Sequence, residues 1–401
     1  MKKFDCIVAG AGMGGFAAAI AASRAGAEVL LIDKLPSAGG TAVYALTALL
    51  SGWPLPHKAG GIADELAQLL EERNGLRWRG GNAAFDENIM QLVMLDMLRD
   101  AGVKTLFNAV VTKVESAEKR IRSITVQAGT VEFICEAKNF IDATGDASLS
   151  VLAGADVITP AVDRSMTKTL MFKVCNVKNF DKASIVERFN EKLKTKKFPV
   201  EIQDRFMGTT LVRDDEAIIN LTAVVGDAAD PLQYNAMYEE LLRQIPEITA
   251  WLKAEFPEFE DISVTKISPI LGVRCTRNII SRRQLTIEDV HNPEPPEEVV
   301  SLCGSYIGGH YVKCFNSPWS GSTGKMAVPY GALRSCTFDN LLAAGRIIGI
   351  EPELVSAVRL NVNCIGSGQA AGIAAALDIP SYEELRKELL RQNCLLSKQE
   401  Q

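Results

Sequence analysis

The chain opens on a short apolar run, FDCIVA at residues 4–9, whose polar flank and abrupt end at glycine predict a buried strand. Four glycines follow between residues 10 and 15, and GFAAAIAASRAG from Gly15 predicts an alanine-rich helix that stops at Gly26. AEVLLIDK is a second apolar strand, with Asp33 at its carboxyl end, 18 residues beyond Gly15. Further on, AGVKTLFNAVVTKVE predicts a strand and IRSITVQAGTVEFICEA a hairpin. KNFIDATGD and LLAAGR (341–346) predict apolar strands that end in small-residue turns. Three more strand-like runs, SMTKTLMFKVCNV, EAIINLTAVVGD and DISVTKISPILGVRC, alternate with helices predicted at 181–195 and 233–253. HNPEPPEEVV is a proline-punctuated turn or loop, and GSYIGGHYVKCFNSPWSGSTG a glycine-rich segment suited to a lid or pocket wall.

Strand, glycine turn, helix, strand and terminal acid make one βαβ unit of the kind that binds a dinucleotide. Gly10 permits the tight turn, Gly12 admits a pyrophosphate close to the backbone, and Gly15 lets helix and strand pack closely. The helix amino terminus around Met13 and Gly14 offers free N–H groups and a positive dipole. Asp33, followed by Lys34, can accept hydrogen bonds from both ribose hydroxyls, and its charge repels a 2′-phosphate. NADP is therefore disfavoured, while FAD and NAD remain. A secretory signal is a poor reading of MKK and the apolar run, because Asp5 and the central glycines interrupt it.

Composition narrows the setting. The 401 residues, 47% apolar, can bury a large core divided into two or three lobes. With 43 basic against 49 acidic residues and no dominant basic block, nothing is built to neutralise nucleic-acid phosphates. No segment is long and apolar enough to span a bilayer. Nine scattered cysteines without a CxxC pair argue against a disulfide framework and a structural metal site, and point to a reducing, cytoplasmic setting. Oligomeric state is not legible.

The order of blocks carries a resemblance. After Asp33 come GGT at Gly39, Gly40 and Thr41, then GGIADELAQLLEERNG, FDENIMQLVMLDMLRDAGVKTLFNAVVTKVE and FIDATGDASLSVLAGA. MAVPYGALRSCTFDNLLAAGR and SAVRLNVNCIGSGQAAGIAAAL follow near the other end. This succession resembles the glutathione-reductase-type FAD-dependent oxidoreductases, most closely a family of bacterial flavoproteins in which it recurs. The resemblance covers roughly the first 155 and last 75 residues, with a weaker middle. It implies FAD, with Val111 contacting the adenine through its backbone. It also implies that Ala143, Thr144, Gly145 and Asp146 lie against the cofactor, and that Gly345 and Arg346 lie near its ribityl and pyrophosphate part. GSGQAAGIAAAL would set Gly366, Gly368 and Gln369 at the head of a helix whose dipole stabilises a reduced, anionic ring. The expected fold is α/β: a Rossmann-like FAD-binding domain, three-layered with a mostly parallel sheet, built from residues 1–157 and 326–380. A β-rich α+β substrate domain is inserted at 158–325, and a helical tail occupies 381–401.

Flavin chemistry leaves the protein to position a small-molecule substrate, balance its charge and move a proton. Arg274 and Arg277 match arginines of the family, with Cys275 where an acid is usual, and Arg359 matches another. Arg274 and Arg359 suit a carboxylate or carbonyl oxygen, although Arg274 could instead clamp two domains together. His310 is the first choice for proton transfer, with Tyr311 and Tyr330 in reserve, and His57 is disfavoured as a point of covalent attachment. No cysteine pair suits a dithiol mechanism; Cys364, near the helix start, is either a filler or a thiol of lowered pKa. The resulting expectation is hydride transfer between FAD and a small oxygenated or anionic organic molecule. The alternative is a non-redox or NAD-binding protein of the same fold, akin to thiazole synthases. Oxygen-dependent monooxygenase or oxidase chemistry is a weaker third.

Overall fold

The computed structural model describes residues 2–161, 166–195, 202–203, 206–291, 296–304 and 325–397. Its centre is a seven-stranded sheet: β1 (Lys2–Ala9), β2 (Val29–Ile32), β3 (Lys104–Leu106), β4 (Ala109–Ala117), β5 (Arg120–Ala128), β6 (Val131–Asp142) and β7 (Leu341–Ala343). The order is β3-β2-β1-β6-β5-β4, with β7 also pairing β6. β3, β2, β1, β6 and β7 run parallel, whereas β4, β5 and β6 form an antiparallel meander. β6 serves both arrangements, because its first half pairs β5 and its last residues, Phe140 to Asp142, pair Leu341 to Ala343.

Both faces of the parallel strands are buried, which is why they read as continuous apolar runs rather than alternating ones. Cys6, Val8, Val29 and Leu31 enter the main core with the helices, while Phe4, Ile7, Leu30 and Ile32 enter a second core completed by Ile124 and Val126 of the meander. The helical layer is led by α1 (Met13–Arg24) and α2 (Asn361–Ala376), which cross at closely approaching glycines. A capping box at Ser381 starts the tail helix Tyr382–Arg391.

The expected excursion supplies a separate four-stranded antiparallel sheet, in which Phe172–Cys175 lies between Ala217–Ile219 and Ser263–Ile267, and Gly208–Thr210 takes the edge. The helices expected at 181–195 and 233–253 form as Lys182–Thr195 and Pro231–Glu255. Phe172, Phe189, Leu241, Phe256 and Phe259 share their own core. The strand Val299–Gly304, expected in the excursion, departs from that division: it pairs Lys325–Pro329 and packs on α2. Val300, Cys303 and Val328 bury apolar surface in the main core rather than in the inserted one. Among the described residues no helix is long and apolar enough to cross a membrane.

Candidate active site

The amino-terminal turn is shaped by clearances that exclude side chains. Gly10 has φ +99°, and a Cβ there would lie 2.4 Å from the Ala143 carbonyl oxygen. A Cβ on Gly15 would lie 1.8 Å from the Gly10 carbonyl oxygen, so helix and strand meet backbone to backbone. At Gly12, by contrast, the nearest atom is the Gly40 Cα at 4.0 Å, leaving this position open to the cleft. Gly12 caps α1 without a side-chain cap, and no acid sits in the first turn. Its dipole and first-turn N–H groups thus meet no carboxylate from the helix itself and are presented to an anion.

Asp33 fixes the opposite lip. Its carboxylate accepts hydrogen bonds from the Ala11 N–H and, at 2.8 Å, from the Leu35 N–H. Burial raises its pKa, and these N–H groups and Lys34 only partly offset that rise. The far wall is the turn 143–146, organised by the fully buried Asp142. Asp142 Oδ1 accepts from the Thr144 N–H at 3.1 Å and hydroxyl at 2.8 Å; its Oδ2 accepts from the Ser150 N–H and hydroxyl, both at 2.8 Å. Arg346 locks this turn by donating from Nε to the Gly145 carbonyl at 2.7 Å and pairing with Asp146 at 3.2 Å.

These elements enclose a cleft of about 400 Å³. Gly10, Gly12, Met13, Gly14, Asp33, Lys34, Gly40, Thr41, Val111, Ala143, Thr144, Gly145, Asp146, Gly345 and Arg346 all line it. Arg359, just before α2, and Asn361 and Cys364 in its first turn join them. Tyr234, Ile270, Leu271 and Val273 of the excursion cover the remaining side, which sequence reasoning missed because nothing in their local pattern marks them. A larger cavity of about 740 Å³ adjoins it, and the two share Thr41, Val273, Arg346, Arg359 and Asn361. Arg274 lines only the larger one and donates to the Thr167 carbonyl at 2.6 Å, so it also ties segments together.

Gly366, Gly368 and Gln369 require correction. α2 begins at Asn361, so they lie in its interior and line neither cavity. A Cβ on Gly368 would lie 2.0 Å from the Gly14 carbonyl oxygen, and one on Gly366 would lie 2.2 Å from the Ser301 Oγ. Gln369 accepts from the Ile62 N–H at 3.1 Å and donates to the Gln392 carbonyl. The small residues serve close packing, and Leu360, Asn361 and Cys364 stand where the helix head was expected. Gly15 and Gly39 likewise shape the turn without lining the cleft.

His310 and Tyr311 lie outside the described residues. Tyr330 is buried, beneath the Arg334 guanidinium, and lines neither cavity; burial pushes its phenol up to about 12. His57 stacks on Trp78 at 3.8 Å between centroids and also lines neither cavity. Burial pushes the Cys275 thiol up to about 11 and that of Cys364 up to about 12, against a reactive thiolate at either. Arg277 approaches the Asp146 carbonyl at 3.5 Å, and Thr276 donates to the Asp146 carboxylate at 3.0 Å. The 274–278 segment therefore braces the cofactor turn as well as the larger cavity.

The residues present fit FAD: an uncapped helix terminus beside an open Gly12 for the diphosphate, a buried acid for the ribose, and a second chamber beyond. The family model described as FAD dependent oxidoreductase matches residues 5–390. Over 68 residues the chain is 40% identical to the fumarate reductase (cytochrome) of Shewanella frigidimarina, which is 17% of this chain and 12% of that protein. Among solved structures, it is similar to a geranylgeranyl bacteriochlorophyll reductase-like protein of Thermoplasma acidophilum (14% identity, TM-score 0.54, 98% of this chain and 86% of that one). It is also similar to the myxobacterial chondrochloren halogenase (15% identity, TM-score 0.51, covering 98% and 79%). At these identities the likeness to solved structures concerns the fold.

Proposed function

The chain belongs to the FAD dependent oxidoreductase family, and from that premise we propose that it exchanges a hydride between FAD and an anionic organic substrate held in the larger cavity. The block order from Gly39 to Ala376 supports a place beside the glutathione-reductase-type members. The observation that carries the reading is the wall of the larger cavity. Lys182, Arg274, Arg346 and Arg359 line it, and no aspartate or glutamate does so among the described residues. An organic anion entering there meets Lys182, Arg274 and Arg359, with Arg359 on the side that adjoins the cofactor cleft and Arg346 already paired with Asp146.

FAD, when bound, supplies the two-electron chemistry. The protein's share is placement: Arg359 and Asn361 stand at the junction of the two cavities, and Arg274 lines the substrate side. Arginine suits this task because its planar fork binds a carboxylate or carbonyl oxygen with two donors. Arg346 is committed to Asp146 and the Gly145 carbonyl, so it acts by holding the cofactor turn. His310 remains our choice for the proton on sequence grounds alone.

A visible spectrum is the first test. Purified protein should be yellow and bleach with dithionite, whereas colourless protein releasing NAD or ADP would sink the reading. With an organic acid that bleaches the wild-type flavin, Arg359→Ala should slow reduction roughly tenfold or more while FAD stays bound. Equal rates in the two proteins would remove Arg359 from the mechanism.

A further inference from the structure

Resting on the reading of the larger cavity as the substrate site, we propose that its ligand is an amphipathic organic anion with a hydrogen-bond donor on its apolar body, seated against Asn220. A compact dicarboxylate does not match these walls. Residues shared with the cleft mark the cofactor side, so the substrate meets the walls that belong to the larger cavity alone. Those walls are more apolar than polar: Trp53, Phe206, Leu211 and Ile218 stand among them, with Thr47, Ser51, Asn82 and Thr209 as smaller polar residues. About 740 Å³ lies within the range of roughly 300–1,000 Å³ typical of sites that enclose drug-sized molecules. A four-carbon acid would leave most of that volume, and all of that apolar wall, to water.

Asn220 breaks the apolar surface. The strand Ala217–Ile219 alternates, with Ile219 and then Leu221 entering the inserted core, while Ile218 and Asn220 line the cavity. Asn220 is 7% exposed, and its buried Oδ1 has no hydrogen-bond partner among the described residues. A buried acceptor left without a donor is costly, and rotation about the soft terminal torsion of Asn220 would turn it to the cavity, where a hydroxyl or N–H group on the ligand supplies one. The cations and Asn220 are distinct polar features of a cavity whose lining also includes Trp53, Phe206, Leu211 and Ile218. That combination selects a molecule with a charged end and a donor elsewhere on its body.

The test uses purified holoenzyme and isothermal titration calorimetry with 6-hydroxy-2-naphthoate, 2-naphthoate, 2-naphthol and succinate. The hydroxynaphthoate is expected to bind about fivefold tighter than naphthoate, and succinate roughly tenfold or more weaker than naphthoate. Asn220→Ala should bring the hydroxynaphthoate to the affinity of naphthoate while leaving naphthoate within about twofold. Succinate binding as tightly as the naphthoates overturns the proposed class, and equal losses for both naphthoates in the variant overturn the assignment of Asn220. Should Asn220→Ala lose FAD or its native circular dichroism, Asn220→Asp keeps the shape and adds a charge. At pH 8 it should weaken both naphthoates roughly tenfold and leave neutral 2-naphthol within about twofold; unchanged naphthoate binding there refutes the proposal. Binding requires no turnover, so a yellow holoenzyme that binds these probes but is reduced by no organic acid would sink the hydride reading alone.

Discussion

Gly12 and Gly368 look alike in sequence and do opposite work. A Cβ at Gly12 enters open space, with its nearest neighbour 4.0 Å away and a backbone φ of −66° that any residue adopts. Gly12→Val should therefore leave the stability of the apoprotein within about 0.5 kcal/mol while sharply reducing FAD occupancy, measured by urea unfolding and by the visible spectrum. At Gly368 the added carbon would lie 2.0 Å from the Gly14 carbonyl oxygen. Gly368→Val should destabilise the apoprotein by about 1–3 kcal/mol or more, because two backbones must separate to admit it. Stability loss at Gly12 without loss of cofactor would reverse the roles assigned here. Asp33 shows the same division of labour, since the residue expected for a ribose also accepts from the Ala11 N–H of the glycine turn and from the Leu35 N–H beyond its own strand.

Between elements, the inserted sheet is fastened to the cofactor fold by a buried ion cluster. Glu87, in the first turn of the helix Glu87–Asp100, pairs with Lys173 at 3.6 Å and Lys266 at 3.2 Å, and Lys173 also reaches Glu216 at 3.0 Å. The Glu87 side chain is 2% exposed, so removing its charge leaves the two lysines short of a buried partner. Glu87→Gln should cost about 1–2 kcal/mol in urea unfolding, because Lys173 keeps Glu216 and Lys266 is partly solvated; a loss below about 0.5 kcal/mol would show the cluster to be incidental. Burial works to lower the Lys173 pKa, but Glu216 and Glu87 outweigh it and hold the value above the ordinary 10.5. A lysine pKa raised on folding contributes stability that is complete below its unfolded value and is lost as pH rises through the folded one. The wild type should thus lose stability relative to Lys173→Met as pH climbs above about 10.5. A pH-independent difference between the two proteins would contradict this account.

At the scale of the whole molecule, the cofactor cleft is closed by both parts of the chain, with Tyr234, Ile270, Leu271 and Val273 facing the glycine turn. Tyr234 is held there by accepting from the Leu271 N–H at 2.9 Å. FAD binding should therefore protect 228–234 and 270–273 from hydrogen exchange together with 10–14. Exchange at the inserted segments that ignores FAD would separate them from the site. The βαβ unit, the strand leading into the turn 143–146, the strand before Gly345 and both excursion helices were legible from the amino-acid order, because periodicity, glycine spacing and a terminal acid are local signals; those signals left FAD and NAD open, and the FAD family came from the resemblance carried by the succession of blocks. The role of GSGQAAG was misread for a physical reason: a glycine-rich helix carries the same pattern whether its small residues face a ligand or another backbone. Only the neighbouring α1 decides between them. The larger cavity was likewise illegible. Trp53, Asn220, Arg274 and Arg359 come from separate segments, and only tertiary packing gathers their cations and apolar walls around one volume.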